Sequence, residues 1–271
     1  MSERIAFIGG GNMASAIISG LIKQGISSQT IDVVEPLAEA RDKLQSSFGI
    51  AALAQPGPSL AQAALVVWAV KPQTFRDAAL AGAPHTRQAL HLSVAAGIRS
   101  DSMAAWLGSE RIVRAMPNTP ALVGRGIAGL YARAGVSEAD RQRVNHIMAT
   151  TGESIWLDSE EKLDVVTALS GSGPAYVFYF MEAMTTAGTE MGLSRAQAQQ
   201  LAVATFAGAS ELARSSQEPP QLLRQRVTSK GGTTYAAIAA MESDDVRALF
   251  INAMYAARER AKQLGDEFGT A

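Results

Sequence analysis

The stretch RIAFIGGGNMA, residues 4–14, decides how the rest of the sequence is interpreted. Its first five residues are mostly apolar and predict a buried strand, and the residues from Asn12 onward have the pattern of a helix. Between them, the turn matches the G-x-G-x-x-A fingerprint in the strand-to-helix context that the fingerprint requires. We therefore expect it to bind the pyrophosphate of a dinucleotide. The candidate contacts are Gly9, Gly11, Asn12, Met13 and Ala14.

The small residues of this turn have separate physical roles. Gly9 permits the tight turn, and Gly11 lets the backbone approach the pyrophosphate. Ala14 is small enough for the helix to pack on the strand. The helix N-terminus then faces the phosphates, which its dipole and free N–H groups favour.

An acidic residue closes the next predicted strand. Glu35 lies 21 residues after Ala14, about where an acid binds the adenosine ribose 2′-hydroxyl of NAD. A carboxylate there repels a 2′-phosphate, but Arg41, one or two turns into the following helix, would accept one if its side chain swung back. NADPH and NADH therefore both stay open as the cofactor. The alternative is that Glu35 is merely a solvated strand end.

Short β-branched runs alternate with helical patterns in the first half of the chain. This alternation predicts a Rossmann-like domain over residues 1–160, with a mostly parallel sheet and helices on both faces. The predicted strands are Arg4–Ile8, Ile31–Val34, Leu65–Val70, Leu90–Val94, Arg111–Ala115, Ile127–Ala132 and Ser154–Leu157. The predicted helices between them are Asn12–Gln24, Leu37–Phe48, Gln73–Ala81, Ser100–Leu107 and Ser137–Thr150.

After about Leu157 the strand signal disappears, and residues 161–271 are predicted to form a helical domain. Its last helix carries a wide apolar stripe. A domain of about a hundred residues built from long Ala-rich helices has little core of its own, so we expect a partner subunit to complete it. The predicted helices are Glu160–Thr167, Pro174–Met191, Ser194–Ser215, Pro220–Val227, Thr234–Met241 and Ser243–Leu264.

Three more segments lie at the carboxyl ends of predicted strands, where ligands of open α/β sheets bind. They are Ala69, Val70, Lys71 and Pro72; then Ala95, Ala96 and Gly97; and the loop around Asn118, which two prolines make rigid. All are candidate cofactor contacts. Two later stretches, Leu169–Pro174 and Thr228–Thr234, combine glycines and hydroxyls at predicted helix starts. The first is a possible anion or ligand site, and a small carboxylate could bind at the second.

Composition excludes several functions. The 271 residues carry a net charge of −1, which disfavours nucleic acid or an anionic membrane as a partner. The longest apolar stretch, Ala63–Val70, is too short to span a bilayer, and no secretion signal is recognised. The absence of cysteine excludes disulfides and thiolate chemistry and favours the cytoplasm. His85, His91 and His146 are scattered, so no triad or metal site is expected.

Six motifs in order resemble the signature of the pyrroline-5-carboxylate reductase family over nearly the whole chain. They are Ile8–Ala14, Ala69–Gln73, Ser93–Ile98, Arg114–Pro120, Ser170–Tyr176 and Val227–Thr234. One departure is visible at Lys230, where the family usually has proline. The resemblance implies a Rossmann domain, and a helical domain that interlocks with a second subunit, with dimers often arranged into a ring.

The same resemblance implies the reaction, which is the reduction of 1-pyrroline-5-carboxylate to L-proline by NADPH or NADH. The active site would lie between the cofactor domain of one subunit and the helical dimer. Thr234 would be the catalytic residue that hydrogen-bonds the ring nitrogen. The backbone of Gly231, Gly232 and Thr233 would hold the carboxylate. The substrate-binding candidates are Val227, Ser229, Gly231, Gly232, Thr233 and Thr234.

Two other hypotheses remain. A related imine or β-hydroxyacid reductase would share the two-domain plan, but such enzymes commonly use a Lys or Asp on the inter-domain helix, where this chain has Ser170 and Ser172. A non-catalytic dinucleotide-sensing module belongs to a different class of protein. If it bound nucleic acid, it would need a basic recognition helix, and neither long C-terminal helix is strongly basic.

Overall fold

The computed structural model describes residues 3–269, so the first two and last two residues of the predicted domains lie outside it. Within this range, seven strands form one sheet in the order β2-β1-β3-β4-β5-β6-β7. All neighbouring pairs are parallel except β5 and β6. The strands are β1 Arg4–Ile8, β2 Ile31–Val34, β3 Ala63–Trp68, β4 Leu90–Ser93, β5 Ile112–Met116, β6 Gly126–Ala132 and β7 Gly152–Trp156.

Helices connect the strands of the sheet and account for most of the chain after β7. They are α1 Asn12–Lys23, α2 Ala38–Phe48, α3 Pro72–Thr86, α4 Ser100–Leu107, α5 Glu138–Met148, α6 Lys162–Val166, α7 Gly173–Glu190, α8 Arg195–Ser215, α9 Pro220–Arg226, α10 Thr233–Ser243 and α11 Val246–Gly269. The predicted fold class is confirmed.

The predicted elements are all present, with ends that shift by a few residues. The largest differences are at α3, which continues through Pro84 to Thr86, and at α11, which begins three residues later and ends five residues later than predicted. Ser194 caps α8 as its sequence suggests, because its hydroxyl accepts from Gln197 N while the Gln197 side chain accepts from Ser194 N.

The stretch Leu169–Pro174 differs from its prediction. The sequence predicts a helix start with several free backbone N–H groups, but Thr167–Gly171 is one turn of π-helix that continues α6 toward α7. The Ser172 N–H donates to Thr167 O at 2.8 Å and so is not free. This N–H group therefore does not face an anion, and the role of the stretch as an anion or ligand site stays a prediction. Single π-turns are rare and frequently occur at functional sites.

The two faces of the sheet each carry an apolar core. One core contains Phe7, Ile17 and Leu92, and the other contains Trp68 and Phe75. Strands buried on both faces explain why the sequence of this part shows continuous apolar runs rather than alternation.

The chain divides into two compact units. Unit 1 comprises the residues up to Ser172 together with those from Ala257 onward, and unit 2 comprises Gly173–Ala256. The division differs from the predicted boundary after residue 160. Residues 161–172 and the end of α11 lie with unit 1 because their side chains pack and form ion pairs there. Asp164, for example, is paired with Arg99.

Candidate active site

The Gly-rich turn between β1 and α1 is shaped for a ligand that approaches the backbone. Gly9 has φ +97°, and a side chain there would lie 2.6 Å from the carbonyl oxygen of Ala69. Gly11 has an ordinary φ of −70°, and a side chain there would meet nothing within 4 Å among residues 3–269. Neither conformation nor packing within this described range requires glycine at position 11. Its missing side chain leaves open space beside the helix N-terminus, as a bound pyrophosphate needs.

The predicted cofactor residues lie at one edge of the sheet. Gly9, Ala69 and Ala95 follow β1, β3 and β4, which are adjacent and parallel, so the carboxyl ends of these strands meet. Strand β2 pairs with β1 on one side, and β3 pairs with β1 on the other. This edge is therefore the topological switch point where ligands of such sheets bind. Pro72 begins α3 with the exposed Lys71 at its N-cap. Gly97 has φ +72°.

Asn118 is placed at the same edge, after β5, but its side chain is occupied. Its Nδ2 donates to Ser170 O at 3.1 Å, and its Oδ1 accepts from Ile127 N at 3.0 Å. The side chain thus ties the loop after β5 to the π-turn and to β6. Its role as a cofactor contact stays a prediction.

Glu35 is buried at the end of β2, with 7% of its surface exposed. Its Oε2 accepts from Gly10 N at 2.8 Å, and its Oε1 accepts from Leu37 N at 2.9 Å. The alternative that Glu35 is a solvated strand end is therefore wrong. Its role as a ribose contact stays a prediction.

Two ion pairs that the sequence pattern does not predict hold the segment after β4. Glu160 accepts from the backbone N and the hydroxyl of Ser100 and from Arg114 Nη1, each at 2.6 Å. Asp164 pairs with Arg99 through two hydrogen bonds, the shorter of 2.8 Å. Both carboxylates therefore fix the residues that directly follow Ala95–Gly97.

Arg114 offered the only sequence signal for this arrangement. It interrupts an apolar strand, and a buried charge requires a partner. Burial lowers the pKa of Arg114, and the charge of Glu160 opposes that shift. The partner lies 46 residues away in the sequence, so its identity could not be read from the pattern.

The end of α11 packs on the same segment. A side chain on Gly97 would lie 3.2 Å from Leu264 Cβ, and one on Gly265 would lie 2.6 Å from Arg99 Nε. Ser102 donates from its hydroxyl to Gly269 O at 2.8 Å. These contacts restrict the position of the loop that carries Ala95, Ala96 and Gly97.

The predicted substrate residues all lie in unit 2, in and after the turn between α9 and α10. Gly231 has φ +76°, and the Gly232 N–H donates to Ser229 O at 3.0 Å. Gly232 is the N-cap of α10, which Thr233 and Thr234 begin. Val227 and Ser229 are exposed. The sequence predicted this helix one residue later, at Thr234.

Thr234 is half-buried, and its hydroxyl has no hydrogen-bond partner among residues 3–269. Thr228 in the same turn differs, because its hydroxyl donates to Arg224 O at 2.7 Å. The Thr234 hydroxyl is therefore available to a ligand, and the first backbone N–H groups of α10 are placed to attract an anion. Within the described residues, no group of three His, Cys, Asp or Glu side chains could hold a metal ion.

Together, the sheet, its Gly-rich turn and the helical unit define the class of dinucleotide-dependent oxidoreductases. The profile described as pyrroline-5-carboxylate reductase dimerisation matches residues 160–264, and the one described as NADP oxidoreductase coenzyme F420-dependent matches residues 4–97. A pyrroline-5-carboxylate reductase of Pseudomonas aeruginosa is 45% identical over 99% of both chains. The chain therefore belongs to the pyrroline-5-carboxylate reductase family.

Further relatives agree with this assignment. The pyrroline-5-carboxylate reductase of Haemophilus influenzae is 39% identical over 96% of this chain and 97% of that protein. The solved structure of the Coxiella burnetii reductase has a TM-score of 0.90 at 38% identity and covers 97% of this chain and 99% of that one. The Plasmodium falciparum pyrroline carboxylate reductase, solved with NADP bound, has a TM-score of 0.86 at 30% identity and covers 97% and 98%.

Proposed function

We propose that this protein reduces 1-pyrroline-5-carboxylate to L-proline with NADPH or NADH. The observation that carries the proposal is the end-to-end match with reductases named for that substrate. The geometry agrees with it, since the turn at Gly9–Gly11 has room for a dinucleotide backbone. The reduced nicotinamide supplies the hydride when the dinucleotide is bound.

The residues of the chain have the remaining tasks. A protonated cyclic imine is already a strong electrophile, so no histidine base is needed. In this proposal, the Thr234 hydroxyl hydrogen-bonds the ring nitrogen and orients its proton. The backbone of Gly231, Gly232 and Thr233 holds the substrate carboxylate at the start of α10, with Val227 and Ser229 beside it. Positioning of the two reactants accounts for most of the rate enhancement.

Lys230 gives this substrate turn a charge that the usual proline lacks. It is exposed, and no ion-pair partner is present for it among residues 3–269. A free ammonium beside Gly231 attracts an anionic substrate at low ionic strength. The proposal assigns it a supporting role in substrate capture.

Assembly is the second part of the proposal. The family profile over residues 160–264 is that of a dimerisation domain, and the chain forms a homo-oligomer. We propose a homodimer as its unit, with dimers arranged into a ring. Within residues 3–269 no helix is long and apolar enough to cross a membrane. The cytoplasm remains the proposed location, on the basis of the cysteine-free sequence.

The test is the loss of reduced-nicotinamide absorbance when 1-pyrroline-5-carboxylate is added, run in parallel with NADPH and NADH. Oxidation that yields L-proline is the expected result. A preparation that binds the dinucleotide but oxidises neither form would contradict the proposal and favour a related imine reductase. Light scattering on the same sample measures the mass, for which an even multiple of 28.5 kDa is expected.

A further inference from the structure

The end of β2 is where the two possible dinucleotides differ, because NADPH carries a phosphate on the adenosine ribose and NADH a hydroxyl. The chain offers two charged side chains there, the carboxylate of Glu35 and the guanidinium of Arg41. What these two side chains do rests on the proposed function in one respect, which is that a dinucleotide binds at this edge of the sheet.

The Glu35 carboxylate is already used within the chain. Each of its oxygens accepts a backbone N–H, one from Gly10 in the Gly-rich turn and one from Leu37 before α2. The residue is 7% exposed, so turning the carboxylate toward a ribose would break two hydrogen bonds to a charged acceptor in a buried place. The contacts instead join the phosphate-binding turn to the loop after β2.

Arg41 has the opposite environment. Its Nη1 donates to Glu35 O at 3.0 Å and to Pro36 O at 2.7 Å, which anchors the guanidinium over the end of β2. Both partners are neutral carbonyl groups, and no carboxylate lies within ion-pair distance among residues 3–269. Its Nε and Nη2 have no hydrogen-bond partner in the same range. A half-exposed, anchored guanidinium with two free donors is suited to a phosphate.

We propose that Arg41 makes this enzyme prefer NADPH by binding the 2′-phosphate. In the same proposal, Glu35 positions the Gly-rich turn and does not itself recognise the ribose. Arg41 then acts on one cofactor only. Glu35 acts on both cofactors equally, because the turn that it holds binds the pyrophosphate common to both.

The experiment measures nucleotide binding to the full-length protein by calorimetry, with adenosine 2′,5′-bisphosphate and adenosine 5′-monophosphate as probes. The wild type is expected to bind the bisphosphate at least about tenfold more tightly. Arg41→Ala is expected to remove most of this difference. Lys43→Ala is the matched control, since it removes the same charge from an exposed position about 200° round α2, and it should leave the difference intact.

Glu35→Gln separates the two roles of the carboxylate. We expect it to weaken binding of NADPH and NADH by the same factor, so that their ratio changes less than about twofold. A selective loss of NADH, or equal binding of the two probes by the wild type, would overturn the assignment. Intact discrimination between the probes in a protein that does not reduce 1-pyrroline-5-carboxylate would overturn the proposed function alone.

Discussion

The two units of the chain differ in how they bury apolar surface. Unit 1 encloses large side chains such as Trp68, Phe7 and Phe75 completely. In unit 2 the buried residues are Thr185, Gly188, Ala198 and Ala202, while Phe178, Tyr179 and Leu249 are largely exposed. One part of the sequence therefore supplies its own core, and the other presents a surface that a second copy must cover.

The largest effect is expected where this contrast is greatest. Leu249 on α11 is 63% exposed in the single chain, and Leu249→Glu would place an unpaired charge in the covered surface. The cost exceeds about 3 kcal/mol, so we expect the oligomer to dissociate. Sedimentation at micromolar concentration measures the mass of the assembly in this variant and in the wild type.

Leu80→Glu is the control, because Leu80 is 49% exposed on α3 of unit 1. The assembly should survive that change. If the oligomer tolerates Leu249→Glu, or dissociates equally in both variants, the exposed apolar surface of unit 2 is not the surface that a second copy covers.

The buried core of unit 1 predicts a pH effect on stability. His91 on β4 is fully buried and accepts from Trp68 Nε1 at 3.1 Å through Nδ1. Burial, helped by the charge of Arg111, lowers the pKa of His91 to about 4. The unfolded chain binds this proton below pH 6.5 and the native chain only near pH 4. The free energy of unfolding should therefore fall by about 3 kcal/mol as the pH drops from 6.5 to 4.

Urea unfolding at pH 7 and pH 4.5 measures this loss. His91→Gln keeps an acceptor for Trp68 and removes the titration, so its loss between the two pH values should be smaller by about 2 kcal/mol. His146→Gln changes an exposed histidine on α5 and should behave like the wild type. If the free energy of unfolding falls equally in all three proteins, protonation of His91 does not account for the loss of stability at low pH.

The predicted catalytic residue and the predicted cofactor residues lie in different units, so a substitution in one unit should leave the other function intact. Thr234 lies in unit 2, whereas the predicted cofactor residues lie in unit 1. Thr234→Ala is expected to lower turnover by about a hundredfold, through loss of a group that orients a proton, with dinucleotide affinity unchanged. Thr234→Ser keeps the hydroxyl and should retain most activity. An unchanged turnover number in Thr234→Ala would remove the residue from the mechanism.

The smallest effect concerns the ion pair beside the loop that carries Ala95–Gly97. Asp164→Asn weakens the hold on Arg99, and we expect the dinucleotide KM to rise several-fold with kcat little changed. Asp32→Asn is the matched control, because Asp32 forms a similar two-bond pair with Arg4 in the same unit. Both variants should lower the melting temperature. If the dinucleotide KM rises equally in Asp164→Asn and Asp32→Asn, the role of Asp164 is purely structural.

The local features of the sequence predicted local structure well. The Gly9–Ala14 turn, the alternating strands and helices and the Ser194 cap depend on backbone conformation and on neighbours within a few residues. The role of Glu35 could not be predicted in this way, because a strand-ending acid has the same pattern whether it faces solvent or accepts Gly10 N from 25 residues away. The π-turn at Thr167–Gly171 also escaped prediction, since glycines and serines before a proline ordinarily indicate a loop.

The fold class, the dinucleotide turn and the need of the helical half for a partner could all be predicted from the sequence. Hydrophobic periodicity, glycine spacing and the scarcity of large apolar residues in the long helices are properties of local sequence. Three features depend on tertiary packing: Glu35 is held by Gly10 and Leu37, Arg41 has no carboxylate at ion-pair distance within residues 3–269, and Glu160 and Asp164 hold the segment after β4. Each of these depends on which groups become neighbours when distant segments pack. The free energy of a buried charge is set by those neighbours and not by residue type.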